Sequence, residues 1–386
     1  MRRCLPALGP TALLLCVVAS ACGTSEGRPL ETGSNAAPAK LRGAVTTSAS
    51  SPDGQTTSTT AQWSVIPVWP LTGVLLGDFN AANHPAVVVK IDNAPDARPH
   101  TGLNQADVVY EAKVEGITRF AAIFHSQDAD PVGPVRSARS TDLNIVSNLN
   151  KPFLLWSGGN PGVTGEVKHA ESLGFVVNLS EDASPQNYFR DHARQAPHNL
   201  YAHMGAVRQQ MYLLDGYQPP PMFAYRNTDD PLPPTAIDTA GMAVNFGGGV
   251  RVDYVWDAER GGWDRFQVDE RHPKGQDAFV DAGGAQVSPQ NVVIMFTQYG
   301  ASEVDARSPK AYTVGEGDAV VLTAGKAYLA HWKRDSPVTM PVLTDSGGNL
   351  IGLTPGKTWI ALPEAGTAGA IPLDPTEAQQ ALARRA

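Results

Sequence analysis

Three arginines and a serine, Arg119, Arg136, Ser137 and Arg139, fall where predicted elements meet, and together they suit the recognition of an anion. A guanidinium offers a planar fork of N–H donors that matches a carboxylate or a phosphate, and the unpaired N–H groups at a helix start favour the same ligands. The order Gly133-Pro134-Val135-Arg136-Ser137-Ala138-Arg139 puts Ser137 where it would cap a helix over residues 137–149, with Arg136 and Arg139 flanking that start. Asn160, in Ser157-Gly158-Gly159-Asn160, and His198, in Ala196-Pro197-His198-Asn199, complete the candidate set. A structural role competes with this one, in which the arginines pair with Asp92, Glu111 and Glu115 and hold loops in place.

Other chemistries find less support. Glu111 and Glu115 would serve as acid and base in glycoside hydrolysis only if their side chains converged, because four strand residues separate Cα atoms by about 13 Å. His192, His198 and His203 lack the close pairing on one turn or helix that marks a zinc site, so no metal is expected. No serine between residues 63 and 364 sits in a Gly-x-Ser-x-Gly elbow, and the turn around Ser157 needs its glycines for geometry alone. Gly247-Gly248-Gly249 has no strand and helix to frame a nucleotide, and reads as a turn. No catalytic residue is assigned and no cofactor is expected.

The elements that must position the arginines are strands over residues 85–92, 107–114, 119–125 and 153–156, with the helix 137–149 between the last two. Strand, helix and strand within about 38 residues predict a βαβ unit whose two strands are parallel neighbours. The loop 133–139 and the turn 157–160 would then both follow strand carboxyl ends, where open α/β sheets bind ligands. Helices over 162–173 and 200–214 and a short strand over 175–179 complete an α/β domain spanning 63–214.

Residues 215–239 are dense in proline and read as a linker arm, with a surface loop as the alternative. From 240 to 364 a mostly β domain is expected, with a hairpin of 250–257 and 263–268 and strands over 292–297, 319–323, 326–333, 338–343 and 358–362. A C-terminal tail follows over 365–386. The fold class is thus an α/β N-terminal domain with a mostly β C-terminal domain, two-domain α+β overall. Tyr254, Trp256, Trp263, Phe266, Trp332 and Trp359 could line a saccharide or peptide groove, but such aromatics more often fill the core of a small β domain.

The N-terminus carries Arg2 and Arg3, a short apolar stretch and Ala19-Ser20-Ala21-Cys22-Gly23. This is the pattern of a lipoprotein signal peptide over 1–21, too short in its apolar part to span a bilayer, with Cys22 as the lipidated, palmitate-bearing residue. Residues 22–62 are rich in Ser, Thr, Gly, Ala and Pro, with almost no large apolar residue, an expected tether whose root-mean-square reach is roughly 35 Å for about 40 residues. Cys4 and Cys16 would leave with the signal, so no disulfide is expected. Removing Arg2 and Arg3 takes the formal charge from -8 to -10, and no basic run stands out, which excludes nucleic acid as a partner.

Several strings then stand in one order: Arg98-Pro99-His100-Thr101-Gly102-Leu103, Ala106-Asp107-Val108-Val109-Tyr110-Glu111, Val114-Glu115-Gly116-Ile117-Thr118-Arg119-Phe120, the arginine loop, Ala196-Pro197-His198-Asn199-Leu200-Tyr201, and Leu353-Thr354-Pro355-Gly356-Lys357-Thr358-Trp359-Ile360. Over about residues 72–362 the chain resembles the YerB-like bacterial lipoprotein family, two consecutive domains of unknown function. The resemblance implies a two-domain lipoprotein of the cell envelope, extracytoplasmic and held to the membrane by its lipid, and brings no catalytic residues. The expected activity is binding of cell-wall material such as peptidoglycan, or of an envelope protein. A hydrolase or transferase acting on wall glycan or peptide, and a structural scaffold, are the alternatives. Supplied to growing cells, a palmitate analogue is expected to label the protein, and Cys22→Ala to abolish the label and release the chain from the membrane pellet; an unlabelled wild type sinks the lipoprotein expectation.

Overall fold

The computed structural model describes residues 67–386 apart from 79, 270–276 and 368. The expected signal peptide, the tether with Cys22, and positions 63–66 of the α/β domain lie outside the described residues.

Along the chain the strands are β1 (Val87–Ile91), β2 (Val108–Lys113), β3 (Thr118–Phe124), β4 (Phe153–Leu155), β5 (Val177–Asn178), β6 (Tyr188–Arg190), β7 (Leu200–Ala202) and β8 (Ile237–Asp238). They continue as β9 (Gly241–Gly247), β10 (Val250–Asp257), β11 (Gly262–Asp269), β12 (Asp277–Ala278), β13 (Asn291–Met295), β14 (Tyr299–Ser302) and β15 (Asp305–Ala311). The last are β16 (Gly315–Thr323), β17 (Lys326–Arg334), β18 (Val342–Asp345), β19 (Thr358–Leu362) and β20 (Ala370–Pro372). The α-helices are α1 (Ser140–Val146), α2 (Pro161–Ser172), α3 (Met204–Gln210) and α4 (Pro375–Leu382).

An N-terminal α/β region and a strand-rich C-terminal region form an α+β fold, and one sheet runs through both. Its order is β18-β17-β16-β13-β19-β2-β3-β1-β4-β5, with β8 also on β17. The seam is β19, parallel to β13 on one side and to β2 on the other, with Thr358 opposite Val108 and Leu362 opposite Ala112. Its sequence, Thr-Trp-Ile-Ala-Leu, is buried at every position, as a strand covered on both faces must be.

Alternation along the strands divides the core in two. Val88, Ala121, Ile123 and Leu154 meet α1 and α2 through Ile145, Val146, Val163 and Val167. On the other face Val87, Val89, Val109 and Phe120 pack with Val244, Val252, Tyr254 and Trp263 of a five-stranded sheet ordered β12-β11-β10-β9-β20. Helix α4 covers the far side of that sheet, with Ala378 and Ala381 against Val255 and Phe266. The expected aromatic core is therefore real: Tyr254, Trp263, Phe266, Trp332 and Trp359 are buried and Trp256 is half-buried.

Several expectations need correction. The strands β3 and β4 are not parallel neighbours, because β1 lies between them, antiparallel to β3 and parallel to β4. Residues 125–139 carry the chain back to the starting edge before α1 begins, a return the strand-helix-strand pattern does not show. The helix over 200–214 resolves into β7, paired with β6, and the short α3. The arm 215–239 is a packed strap and not a free linker: Met222 and Phe223 are buried, Arg226 N–H donates to the Leu353 carbonyl at 2.9 Å, and β8 pairs with β17. Residues 365–386 are likewise no loose tail, since β20 extends the five-stranded sheet beside β9 and α4 follows.

Between the two sheets lies an ion pair. Arg265 on β11 donates through Nη2 to both oxygens of Glu111 on β2, at 2.9 and 3.0 Å, and both side chains are fully buried. Trp359 Nε1 and Thr118 Oγ1 also donate to Glu111, at 2.9 and 2.7 Å. The guanidinium is flanked by the rings of Phe279, Trp359 and Phe120, at 3.9, 4.9 and 5.5 Å from their centroids. Arg265→Ala is expected to cost about 3–5 kcal/mol in denaturant unfolding, because it strands a buried carboxylate, whereas Arg265→Met combined with Glu111→Leu recovers most of the loss. Equal losses in the single and double variants would refute that account.

Candidate anion-binding site

The carboxyl ends of the parallel strands β1 and β4 diverge, and the segment around Pro134–Arg136 inserts between them. Asp92 N–H donates to the Pro134 carbonyl at 3.0 Å, Arg136 N–H to the Lys90 carbonyl at 2.8 Å, and Ser157 N–H to the Arg136 carbonyl at 3.2 Å. Arg136 is thus fixed at the mouth of the split, and its Nε donates to Asp92 Oδ2 at 3.1 Å. His198 Nδ1 lies 2.8 Å from the same oxygen. His198 is delivered by the loop between β6 and β7, which Arg194 pins by donating to the carbonyls of Ala97 and Pro99 at 3.0 and 2.8 Å.

Arg119 is the second residue of β3, beside this mouth. Its partner across the ladder is Ala112, so it points to the helix-covered face, while Glu111 pairs with Phe120 and points to the other. That alternation removes Glu111 from the arginine cluster and gives it to Arg265. Glu115 lies past the end of β2 and meets Arg139 in a two-pronged pair, Nε to Oε1 and Nη2 to Oε2, both 2.9 Å. The two glutamates therefore do not form an acid–base pair.

Arg119 itself is 6% exposed, and its Nε and Nη1 have no hydrogen-bond partner. Burial lowers its pKa to about 10, helped by the nearby charges of Arg139 and Arg136 and opposed by Asp92 and Glu115. Glu115 is pushed up by burial, but Arg139 outweighs this and holds it at about 2. Asp92 is also pushed up by burial, yet hydrogen bonds from Ala94 and His198 and the charges of Arg119 and Arg136 leave it below the usual carboxylate range. Three arginines thus converge with two carboxylates that are already engaged, and the unmatched charge is the one with open donors. Such an arrangement has the donors that a carboxylate or phosphate would need.

The remaining candidates take supporting places. Ser137 does not cap α1; Arg139 is the N-cap residue, and its N–H is taken by the Asp142 carboxylate at 2.7 Å. With seven residues, α1 supplies no helix-end anion site of the kind expected. The Ser137 hydroxyl borders Gly158 and forms no hydrogen bond among the described residues. Asn160 caps α2, its Oδ1 accepting from Val163 N–H at 2.8 Å, so it orders the turn and leaves the charge to others. Gly158 and Gly159, with φ of 77° and 153°, allow that turn. Ser157 is spent on Glu181. His192 is exposed and His203 faces Asp130 at 3.5 Å, and among the described residues no group of three side chains could hold a metal.

Sequence reasoning missed two residues here. Lys90 is buried within β1 and bonded to Asp142 at 2.6 Å, tying α1 to the sheet beneath the arginines. A lysine inside Val-Val-Val-Lys-Ile is itself the signal, since a charge in a covered strand needs a partner. His100 is buried, with Nε2 2.6 Å from the Asp92 carbonyl and its ring against Phe120 and Phe279.

Comparison with known proteins agrees with this architecture. Models described as "Protein of unknown function (DUF3048) N-terminal domain" and "Protein of unknown function (DUF3048) C-terminal domain" match residues 71–215 and 242–360, and the chain belongs to this two-part family. A protein of Bacillus subtilis (strain 168), "Putative lipoprotein YerB", is 30% identical over 302 residues, covering 75% of this chain and 84% of that protein. The solved "Crystal structure of YerB protein from Bacillus subtilis" superposes with a TM-score of 0.67 at 25% identity, over 80% of this chain and 100% of that one.

Burial lowers the His100 pKa from 6.5 to about 3 despite its bond to the Asp92 carbonyl, and it lowers that of His125 to about 4, with the charge of nearby His84 adding to the effect. Unfolding at pH values between these limits therefore takes up protons, so stability is full above 6.5 and declines as pH falls toward 3. Denaturant midpoints that stay level from pH 6.5 to 4 would contradict the buried neutral histidines.

Proposed function

We propose that the chain is a lipid-anchored envelope protein whose arginine cluster holds an anionic group of cell-wall material. The observation that carries this reading is Arg119, a buried guanidinium with open donors beside Arg136 and Arg139. Removing such a group from water is costly unless a partner of opposite charge completes it, and the two local carboxylates already serve other cations. A carboxylate or phosphate entering past half-buried Arg136 and Arg139 would be met by planar donors, with Asp92, His198 and Glu115 holding those donors in place. The name of the Bacillus subtilis relative supports the lipoprotein part of the reading, and peptidoglycan, whose peptide stems carry carboxylates, supplies the anion.

Purified peptidoglycan is expected to pellet the full chain held in detergent, and Arg119→Gln to cut the pelleted fraction severalfold without changing the fold by circular dichroism. Inorganic phosphate is expected to raise the thermal midpoint of the wild type and leave that of Arg119→Gln unmoved, since a ligand that binds only the folded state stabilises it. Pelleting by the two proteins alike, or none by either, removes the proposal.

A further inference from the structure

The opposite ends of the same strands border a second opening. Pro85 leads into β1, His125 follows β3 and Asn150 precedes β4, and these residues line a cleft of about 960 Å³. It lies roughly 20 Å along the strands from the arginine cluster, at about 3.3 Å per residue. That volume suits a ligand of several rings.

Its chemistry differs from that of the arginine site in having no unmatched charge. Arg208, the lining cation, is joined to Asp128 by bonds from Nε at 2.9 and 2.8 Å, and its Nη1 lies 3.1 Å from His84 Nδ1. Burial lowers the pKa of both lining histidines, His84 and His125, the latter to about 4. What the cleft offers instead is flat apolar surface and carboxamides. Tyr212 is 94% exposed, Tyr217 is 52% exposed and Trp69 is half-buried with its ring edge-on to His125. Asp215, two residues before Tyr217, bonds Lys151 at 3.0 Å, and Tyr217 N–H donates to the Asn150 carbonyl at 3.2 Å, so this segment is braced on the cleft wall. The side chains of Asn80, Asn83, Gln127 and Gln218 line the same space and form no hydrogen bond among the described residues.

We infer that this cleft binds an uncharged saccharide chain, with sugar faces stacked on Tyr212, Tyr217 and Trp69 and hydroxyls bonded to the carboxamides of Asn80, Asn83, Gln127 and Gln218. A pyranose has an apolar face of C–H groups and a rim of paired donors and acceptors, which aromatic rings and carboxamides match, the amide offering both a donor and an acceptor. A charged ligand would find no free counter-charge here. The inference stands apart from anion binding, because it uses none of the arginine cluster.

The test is calorimetric titration of the full chain in detergent with three neutral probes: the N-acetylglucosamine tetramer, cellotetraose and maltotetraose. Saturable binding of at least one is expected, weakened about tenfold by Tyr212→Ala and again by Tyr217→Ala, the value of one aromatic contact each. Both tyrosines are exposed, so unchanged melting temperatures are expected to accompany the loss. Arg119→Gln is expected to leave the affinity untouched. Absence of binding by all three probes at 10 mM on the order of the weakest useful affinity, or binding that survives both tyrosine changes or falls with Arg119→Gln, overturns the inference.

Discussion

The buried contact between Glu111 and Arg265 sets the relation of the two sheets. Neither side chain reaches water, so each depends on the other and on the groups around them for solvation. The carboxylate is completed by Thr118 and Trp359, and the guanidinium spends its unbonded edges on three aromatic rings. Sliding the smaller sheet across the larger would separate charges in a low-dielectric interior, so the contact specifies position even where an apolar pair of equal volume would match its stability.

From that contact a line of hydrogen bonds runs to the mouth of the arginine cluster. Thr118 bonds Glu111, Asn93 bonds Thr118, and Asn93 directly follows Asp92, the carboxylate shared by Arg136 and His198. The two acids of the β2–β3 hairpin, Glu111 and Glu115, serve opposite faces, one steadying the sandwich and the other steadying Arg139. Positive charge at the mouth is in this way built on a frame whose own charges cancel, leaving Arg119 as the exception.

Much of the strand-rich half was legible in sequence, because turn residues bound each alternating or apolar run. The hairpin of β10 and β11 and the buried strand β19 fall where the pattern puts them, and the glycine run 247–249 is a turn between β9 and β10 with positive φ throughout. The arginines were legible as a group because they crowd one loop and one strand start. Their pairing was not, since it depends on which face each strand residue takes and on β1 entering between β3 and β4, a long-range choice that local pattern does not encode. Arg265 went unnoticed among tryptophans, although its place two residues after Trp263 puts it on the same inward face. Ser137 had the right chemistry for a cap, yet the helix begins three residues later.

The shared strand neighbourhood of β2 and β19 also constrains how this chain can be taken apart. A fragment ending near residue 239 would bare the β2 edge, and the complementary fragment would bare β19, each a regular row of unmet backbone N–H and C=O groups. Such edges template pairing with other copies, so separate expression of the two family segments invites aggregation, and mixing them offers reassembly through the same five-residue register.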